Sequence, residues 1–300
     1  MIDSQYIKAA AIQTGFDACG IAAASPIAPR DFGLDGWLAK GCQADMRFME
    51  EYRDMRHNPQ LLLPGAKTVI AVLAGYKPSQ MMQGSYKIAQ YAYGEDYHER
   101  MKRMLYQLID AIRSRYPDFD AKPCVDTAPI SDKLWAARAG LGWIGHNTLL
   151  VNPKLGSYCT IGELVTTAEA DTYDTPLANG CGDCHLCETV CPNQALHGCL
   201  DARRCASYHT IENRNPSLPA DIKLSGYTFG CDCCQLACPY NQQAAVRYDL
   251  IDERKAQLES LPTADEATFK KLTKHTALSR IKFWQWQRNR NASGDPILGS

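Results

Sequence analysis

The sequence predicts a mixed α/β chain of the α+β kind: a larger N-terminal domain, a cysteine-rich second domain and a short helical tail. Three observations predict it. Strand-like apolar runs alternate with stretches of helical periodicity over about the first 170 residues. Ten of the fourteen cysteines crowd between Cys181 and Cys238. After Pro239 the chain turns polar and helical. The expected domains are 1–175, 176–245 and 246–300.

Residues 3–15 carry helical periodicity, and ACGIAAA (18–24) reads as a short apolar strand. Residues 34–52 again place apolar positions at helical spacing. KTVIAVLAGY (67–76), bounded by Pro64-Gly65, is a β-branched buried strand. GEDYHERMKRMLYQLIDAIRSRY (94–116) is a long amphipathic helix. PCVDTA (123–128) ends a strand, and SDKLWAARAG (131–140) is a helix closed by Gly140. NTLLVNP (147–153) and YCTIGELVTT (158–167) are expected to pair as a β-hairpin across Lys154-Leu155-Gly156-Ser157. Asn179-Gly180 marks the turn into the cysteine-rich part, and 292–296 is expected to fray.

Composition narrows the class. Hydrophobic residues at 45% and charged residues at 22% exclude a disordered chain. No apolar run approaches the roughly 20 residues of a spanning helix. No basic segment followed by an apolar one opens the chain, so a cytoplasmic protein is expected. Thirty-two basic against thirty-three acidic side chains exclude a globally basic nucleic-acid binder, though not a local basic patch. Clustered thiols in a reducing compartment point to metal rather than disulfides.

Cys181, Cys184, Cys187 and Cys191-Pro192 form C-x2-C-x2-C-x3-C-P, the bacterial ferredoxin run whose fourth cysteine ligates the other cluster of a pair. Zinc needs only four ligands and favours separated C-x2-C pairs. The second run is Cys231, Cys233, Cys234 and Cys238-Pro239. Crossed ligation gives one 4Fe–4S cluster Cys181, Cys184, Cys187 and Cys238, and the other Cys191, Cys231 and Cys234. One ligand is missing. Cys233 ranks last because it adjoins Cys234, and spacing leaves Cys199 and Cys205 open. Cys19, Cys42, Cys124 and Cys159 read as buried small hydrophobes. His185 and His197 are not needed for the count.

An α/β domain ahead of an electron relay must use one-electron equivalents. It carries neither G-x-G-x-x-G nor a P-loop. Asp96-Tyr97-His98 matches half of the D-x-H-x-x-G cobalamin motif but lacks its glycine, and His98 reads as a solvent-exposed helix residue. The stretch 125–167, with Asp126 at a strand end and Gly140, Gly142 and Gly145 around Trp143, is the candidate pocket.

VDTAP, AGLGWIGHNTLL and GSYCTIGEL, followed by CGDCHLCETVCPNQAL, RRCASYHTIE and CDCCQLACPYN, resemble the epoxyqueuosine reductase family. RHNPQLLLPGAKTVIAV and YAYGEDYH fit the same family. The resemblance implies base-off cobalamin in the N-terminal domain, a ferredoxin-like domain with two 4Fe–4S clusters against it, and reduction of the epoxide of epoxyqueuosine at the tRNA wobble position. Electrons would pass from an unidentified low-potential donor through the clusters to cobalt. The resemblance makes Asp126 the proton donor, with a raised pKa. It places Arg56, Asp126, Leu150, Ile161 and Asp232 at the corrin, and it selects Cys205 as the missing ligand. A monomer off the membrane is expected.

Three positions depart from the family: His146 stands where Lys is common, Tyr93 where Arg is common, and Cys233 in an Asp position. Longer members carry a C-terminal helical-repeat domain that grips tRNA, which this chain is expected to lack. FKKLTKHTALSRIKFWQWQRNR (269–290) is basic, without an acid, and holds Trp284 and Trp286. It is expected to bind RNA through phosphate contacts and base stacking. Competing readings are a reductive-dehalogenase-like corrinoid enzyme acting on a small molecule and a non-catalytic electron carrier.

Overall fold

In the computed structural model, which describes residues 1–28, 33–82, 84 and 86–294, a four-stranded sheet runs in the order β1-β2-β7-β4. Its strands are β1 (Ala18–Ala23), β2 (Thr68–Gly75), β4 (Ala121–Cys124) and β7 (Cys159–Thr166). All three pairings are antiparallel, so the fold is of the α+β form. Every residue of β2 is buried, because the strand is central and covered on both faces.

Strand alternation sends Ile70, Val72 and Leu164 to one face. There they meet Ile7 and Ala11 of the helix Ser4–Gln13 and Met101, Leu105, Leu108 and Ile112 of the helix Tyr97–Arg113. Val69, Ala71, Leu73 and Val165 face the other side, against Trp135 and Ala136 of the helix Asp132–Arg138 and against Leu141 and Leu150. Glu163 lies opposite Ala71 and Cys124 and so points a carboxyl into this second apolar layer.

The expected hairpin is corrected. Both edges of β7 are taken, by β2 and β4. Instead β6 (Leu150–Val151) pairs back onto β5 (Trp143–Ile144). The link between β6 and β7 is a turn in which Asn152 Oδ1 accepts from the backbone N–H groups of Lys154 and Leu155. Gly156 sits there at φ +60, so close to Asn241 that any Cβ would collide with it.

A two-stranded parallel ribbon joins β3 (Lys87–Ile88) to β8 (Tyr227–Phe229). It nucleates a third core of Tyr86, Ile88, Tyr93, Phe229, Leu258, Phe269 and Trp286. All three sequence stretches therefore contribute to one apolar cluster. The tail folds as the helices Asp252–Ser260, Glu266–Thr273 and Phe283–Ser293. The expected fraying at Asp295-Pro296 lies outside the described residues. No helix among the described residues is long and apolar enough to cross a membrane.

Candidate functional site

Asp126 follows β4 in a left-handed backbone conformation, φ +44. For a residue with a Cβ this costs about 1–2 kcal/mol, so neighbours must hold it. Asp132 accepts the Asp126 backbone N–H, and the Ser131 N–H donates to Arg56 O at 3.1 Å. The Asp126 side chain is 57% exposed.

Oδ2 of Asp126 receives the Tyr97 hydroxyl at 2.7 Å and His98 Nε2 at 2.9 Å. His98 Nδ1 faces Asp96 Oδ1 at 2.7 Å. Both ring nitrogens thus meet carboxylate oxygens, an arrangement that requires two N–H donors and favours imidazolium. Burial would raise the Asp126 carboxyl, but the hydrogen bonds from His98 and Tyr97 outweigh it and hold the carboxyl below its ordinary range. Burial likewise pulls His98 down, and its two carboxylate partners push it above its ordinary value. The raised pKa expected for Asp126 is therefore replaced by its opposite: the proton rests on His98. His98, expected as a solvent residue, is only 28% exposed.

A second acid pair lies beneath. Glu163 is fully buried and hydrogen-bonds Asp132. Among the described residues, both Glu163 oxygens and Asp132 Oδ1 otherwise have no donor. Two carboxylates in apolar surroundings cannot both ionise, so they share a proton. Burial and Asp132 push Glu163 well up, and burial lifts Asp132 to about 6. Arg56 approaches from the helix Arg53–His57, with Nη2 bonded to Phe48 O at 2.9 Å and Nε buried without a partner. Lys133 donates to Thr148 O at 2.7 Å. Leu150 and Ile161 lie on the same apolar wall.

Asp232 stands apart. It is 1% exposed, and its oxygens accept the Gln90 N–H at 2.8 Å and Gln235 Nε2 at 2.9 Å. Its carboxyl braces the backbone, leaving only main chain to meet a cofactor. Burial lifts it to about 6.

Cys181, Cys184, Cys187 and Cys238 line one cavity of about 390 Å³. Asn241, bonded to Ser157 N–H at 2.6 Å, anchors the helix Pro239–Gln243 that begins just after Cys238. Trp143 Nε1 points at Cys181 Sγ, 3.3 Å away. In the second set, Cys234 lies within electrostatic reach of Cys205 and Cys191, and Cys231 within reach of Cys205. Cys199 instead hydrogen-bonds Cys42. Cys233, ranked last because adjoining side chains diverge, stands beside the set as a fifth thiol. It bonds Cys231, which draws it down to about 7.

The departures acquire local explanations. His146 Nδ1 lies 2.9 Å from Cys184 O, and its ring stacks on His185 at 4.6 Å. Tyr93 belongs to the third core.

The basic run divides. Trp286 is fully buried, so it is not a stacking platform. Arg288 is buried and donates to Asn213 O at 3.0 Å and His209 O at 2.8 Å. Asn289 reaches Thr210 O at 2.8 Å and Thr228 O at 2.9 Å. These bonds buttress the segments that carry Cys205 and Cys231. Arg280 pairs with Glu212 at 2.9 Å. Lys270, paired with Glu266, and Lys271, Lys274, Lys282 and Trp284 remain as the surface part.

Comparison with known proteins gives the same outline. The family described as Epoxyqueuosine reductase QueG, DUF1730 matches residues 56–127, and that described as 4Fe-4S double cluster binding domain matches residues 180–241. An epoxyqueuosine reductase of Synechococcus sp. (strain CC9605) is 38% identical over 304 residues, covering 97% of this chain and 94% of that one. The solved structure of epoxyqueuosine reductase from Streptococcus thermophilus is similar with a TM-score of 0.85 at 29% identity, covering 96% of this chain and 80% of that one. A further epoxyqueuosine reductase, solved with a tRNA-Tyr epoxyqueuosine-modified stem loop, gives 0.84 at 28% identity over the same shares.

Proposed function

The chain belongs to the epoxyqueuosine reductase family, and from that premise we propose that it reduces epoxyqueuosine to queuosine in tRNA, using cobalamin and two 4Fe–4S clusters. The observation that carries this reading is the convergence of Cys238 with Cys181, Cys184 and Cys187 around one cavity, in a chain whose N-terminal layer presents an exposed Asp126 carboxylate. Residues 1–175 hold the corrin, 176–245 the clusters, and 246–300 close the third core and face the RNA. Cys191, Cys205, Cys231 and Cys234 make the second ligand set.

Loss of the epoxide oxygen as water takes two electrons and two protons and leaves a carbon–carbon double bond. The clusters supply single electrons, and cobalamin when bound supplies a strongly reducing, nucleophilic cobalt. The residues fit a corrin. Its rim of carboxamides offers hydrogen-bond acceptors, and the orphaned Arg56 Nε is a donor complementary to such groups. The main chain at Leu150 and Ile161 gives the apolar wall, and Asp232 contributes through its backbone.

The leaving oxygen takes one proton from the Asp96–His98–Asp126 relay and the second from the same relay once solvent has reloaded His98. His98 stores the proton, Asp96 orients the ring, and Asp126 passes the proton across Oδ2, with Tyr97 holding the carboxylate in place. Asp126 is the terminal donor because His98 recharges it. Electrons come from an external low-potential donor. The enzyme is read as cytoplasmic and monomeric.

The test is anaerobic reconstitution with iron, sulfide and cobalamin, followed by incubation with epoxyqueuosine-containing tRNA and a low-potential reductant. The digested nucleoside should lose one oxygen atom. Retention of the epoxide by fully loaded protein would overturn the reading.

A further inference from the structure

On the surface of the tail an open cavity of about 460 Å³ is lined by Glu266, Lys270, Lys282, Phe283, Trp284 and Gln287. Trp284 is 41% exposed, whereas Trp286 two residues on is fully buried. Exposure alone marks nothing, but here the ring lines a cavity together with two ammonium groups. It is held rigidly. The Arg288 guanidinium sits behind its ring, 5.5 Å from the centroid, and is itself fixed by backbone carbonyls. Phe283 is tied inward by Phe269, 5.5 Å between centroids. The outer face of the indole stays free.

The rim is cationic. Lys282 and Lys270 flank the ring, and the one acid, Glu266, is neutralised by Lys270 at 2.7 Å. A flat aromatic face with ammonium groups at its edge suits a π-system carrying phosphates. The position relative to Asp126 supplies the second argument. Arg280 lies within electrostatic reach of Asp126 and Tyr97. Trp284 follows Arg280 four residues later, at most about 14 Å further along the chain. An RNA strand held at Asp126 therefore reaches the cavity within a short run of unpaired nucleotides.

We propose that the Trp284 cavity is a nucleobase subsite: an unpaired base of the same loop as the reacting nucleotide stacks on Trp284 while Lys282, which Glu266 leaves unpaired, meets its flanking phosphate. This rests on the tRNA reading above and adds the site that holds the strand while Asp126 works on the modified base. Stacking is tolerant of base identity, so the subsite contributes affinity and register rather than sequence choice.

The experiment uses the reconstituted full chain and an anticodon stem–loop with 2-aminopurine placed at one unpaired loop position at a time. Wild type and Trp284→Phe should quench the probe at one position and bind within about threefold of each other. Trp284→Ala should bind about tenfold or more weakly, the loss expected of one base stack, and leave that position unquenched. Its KM for tRNA should rise with kcat nearly unchanged, and iron and corrin content should stay at wild-type levels. If wild type binds and reduces the RNA and Trp284→Ala does both equally well, the subsite is refuted and the function stands. If loaded wild type neither binds nor reduces it, both fall.

Discussion

His98 Nε2 lies 2.9 Å from Asp126 Oδ2, and that contact moves the proton from the residue expected to donate it onto its neighbour. Asp126 alone would be ionised at neutral pH and useless as an acid. Paired with an imidazolium whose far nitrogen is held by Asp96, it becomes the outlet of a rechargeable donor.

The first prediction is a pH limb. His98 is raised above 6.5, so turnover of loaded enzyme should fall on the alkaline side at a pH above that value. In Asp96→Asn the limb should move down, because one stabilising partner is lost. Stability should share the sign. The His98 contribution is full below its ordinary pKa and vanishes as pH rises through the raised one. The Asp126 contribution is present above its ordinary pKa and vanishes as pH falls through the lowered one. An unshifted limb in Asp96→Asn would remove His98 from the relay.

Asp126→Asn preserves size and removes the transferable proton. Cobalamin and both clusters should still bind, while turnover per bound cobalamin falls about 10²–10⁴-fold. Wild-type turnover per corrin would take Asp126 out of the mechanism.

The buried pair beneath gives a third expectation. Glu163→Gln can donate an amide N–H to Asp132 in place of the shared proton, so stability should change little. Glu163→Ala leaves a cavity and an unpartnered carboxyl, costing about 2–4 kcal/mol by denaturant titration. It should also slow turnover per corrin, since Asp132 would no longer hold the Asp126 backbone. Equal melting of the Gln and Ala variants would deny the pair.

Iron content tests the ligand set. Wild type should hold about eight iron atoms. Cys205→Ala should fall toward about half, whereas Cys199→Ala and Cys233→Ala should stay near wild type. Full iron in the Cys205 variant would reassign the fourth ligand.

The divided basic run predicts divided phenotypes. Replacing Lys270, Lys271 and Lys274 together by Gln should weaken tRNA binding and flatten its salt dependence without altering melting. Arg288→Met should lower stability by about 2–4 kcal/mol, because several buried carbonyls lose their donor. An unchanged salt slope in the triple variant would confine RNA contacts to other residues.

Much of this was legible in the sequence. Thr68–Gly75 announced itself as an unbroken apolar run rich in β-branched residues, and the first cysteine run by its spacing. Other features were hidden for identifiable reasons. Leu150–Val151 and Cys159–Thr166 have the lengths and turn of a hairpin, but pairing of β7 is decided by strands distant in the chain. His98 sits on the polar side of an amphipathic helix, where solvent is the ordinary neighbour. Its only local hint was Asp96 capping the first turn. Glu163 gave no signal, since a buried acid in a strand is recognisable only once Asp132 is seen facing it. In the tail, charge counting could not separate Arg288, which serves the fold, from Lys282, which faces water.

The third core also sets a timetable. Strand β3 must wait for β8, and the segments bearing Cys205 and Cys231 must wait for Arg288 and Asn289 to brace them. These braces lie at least fifty residues beyond Cys238, on a helix that carries no cysteine of its own. The socket for iron therefore closes only when a thiol-free segment has folded back onto the thiol-bearing ones. A chain cut ahead of Trp286 would keep every cysteine and lose the braces, and should take up iron that it cannot hold.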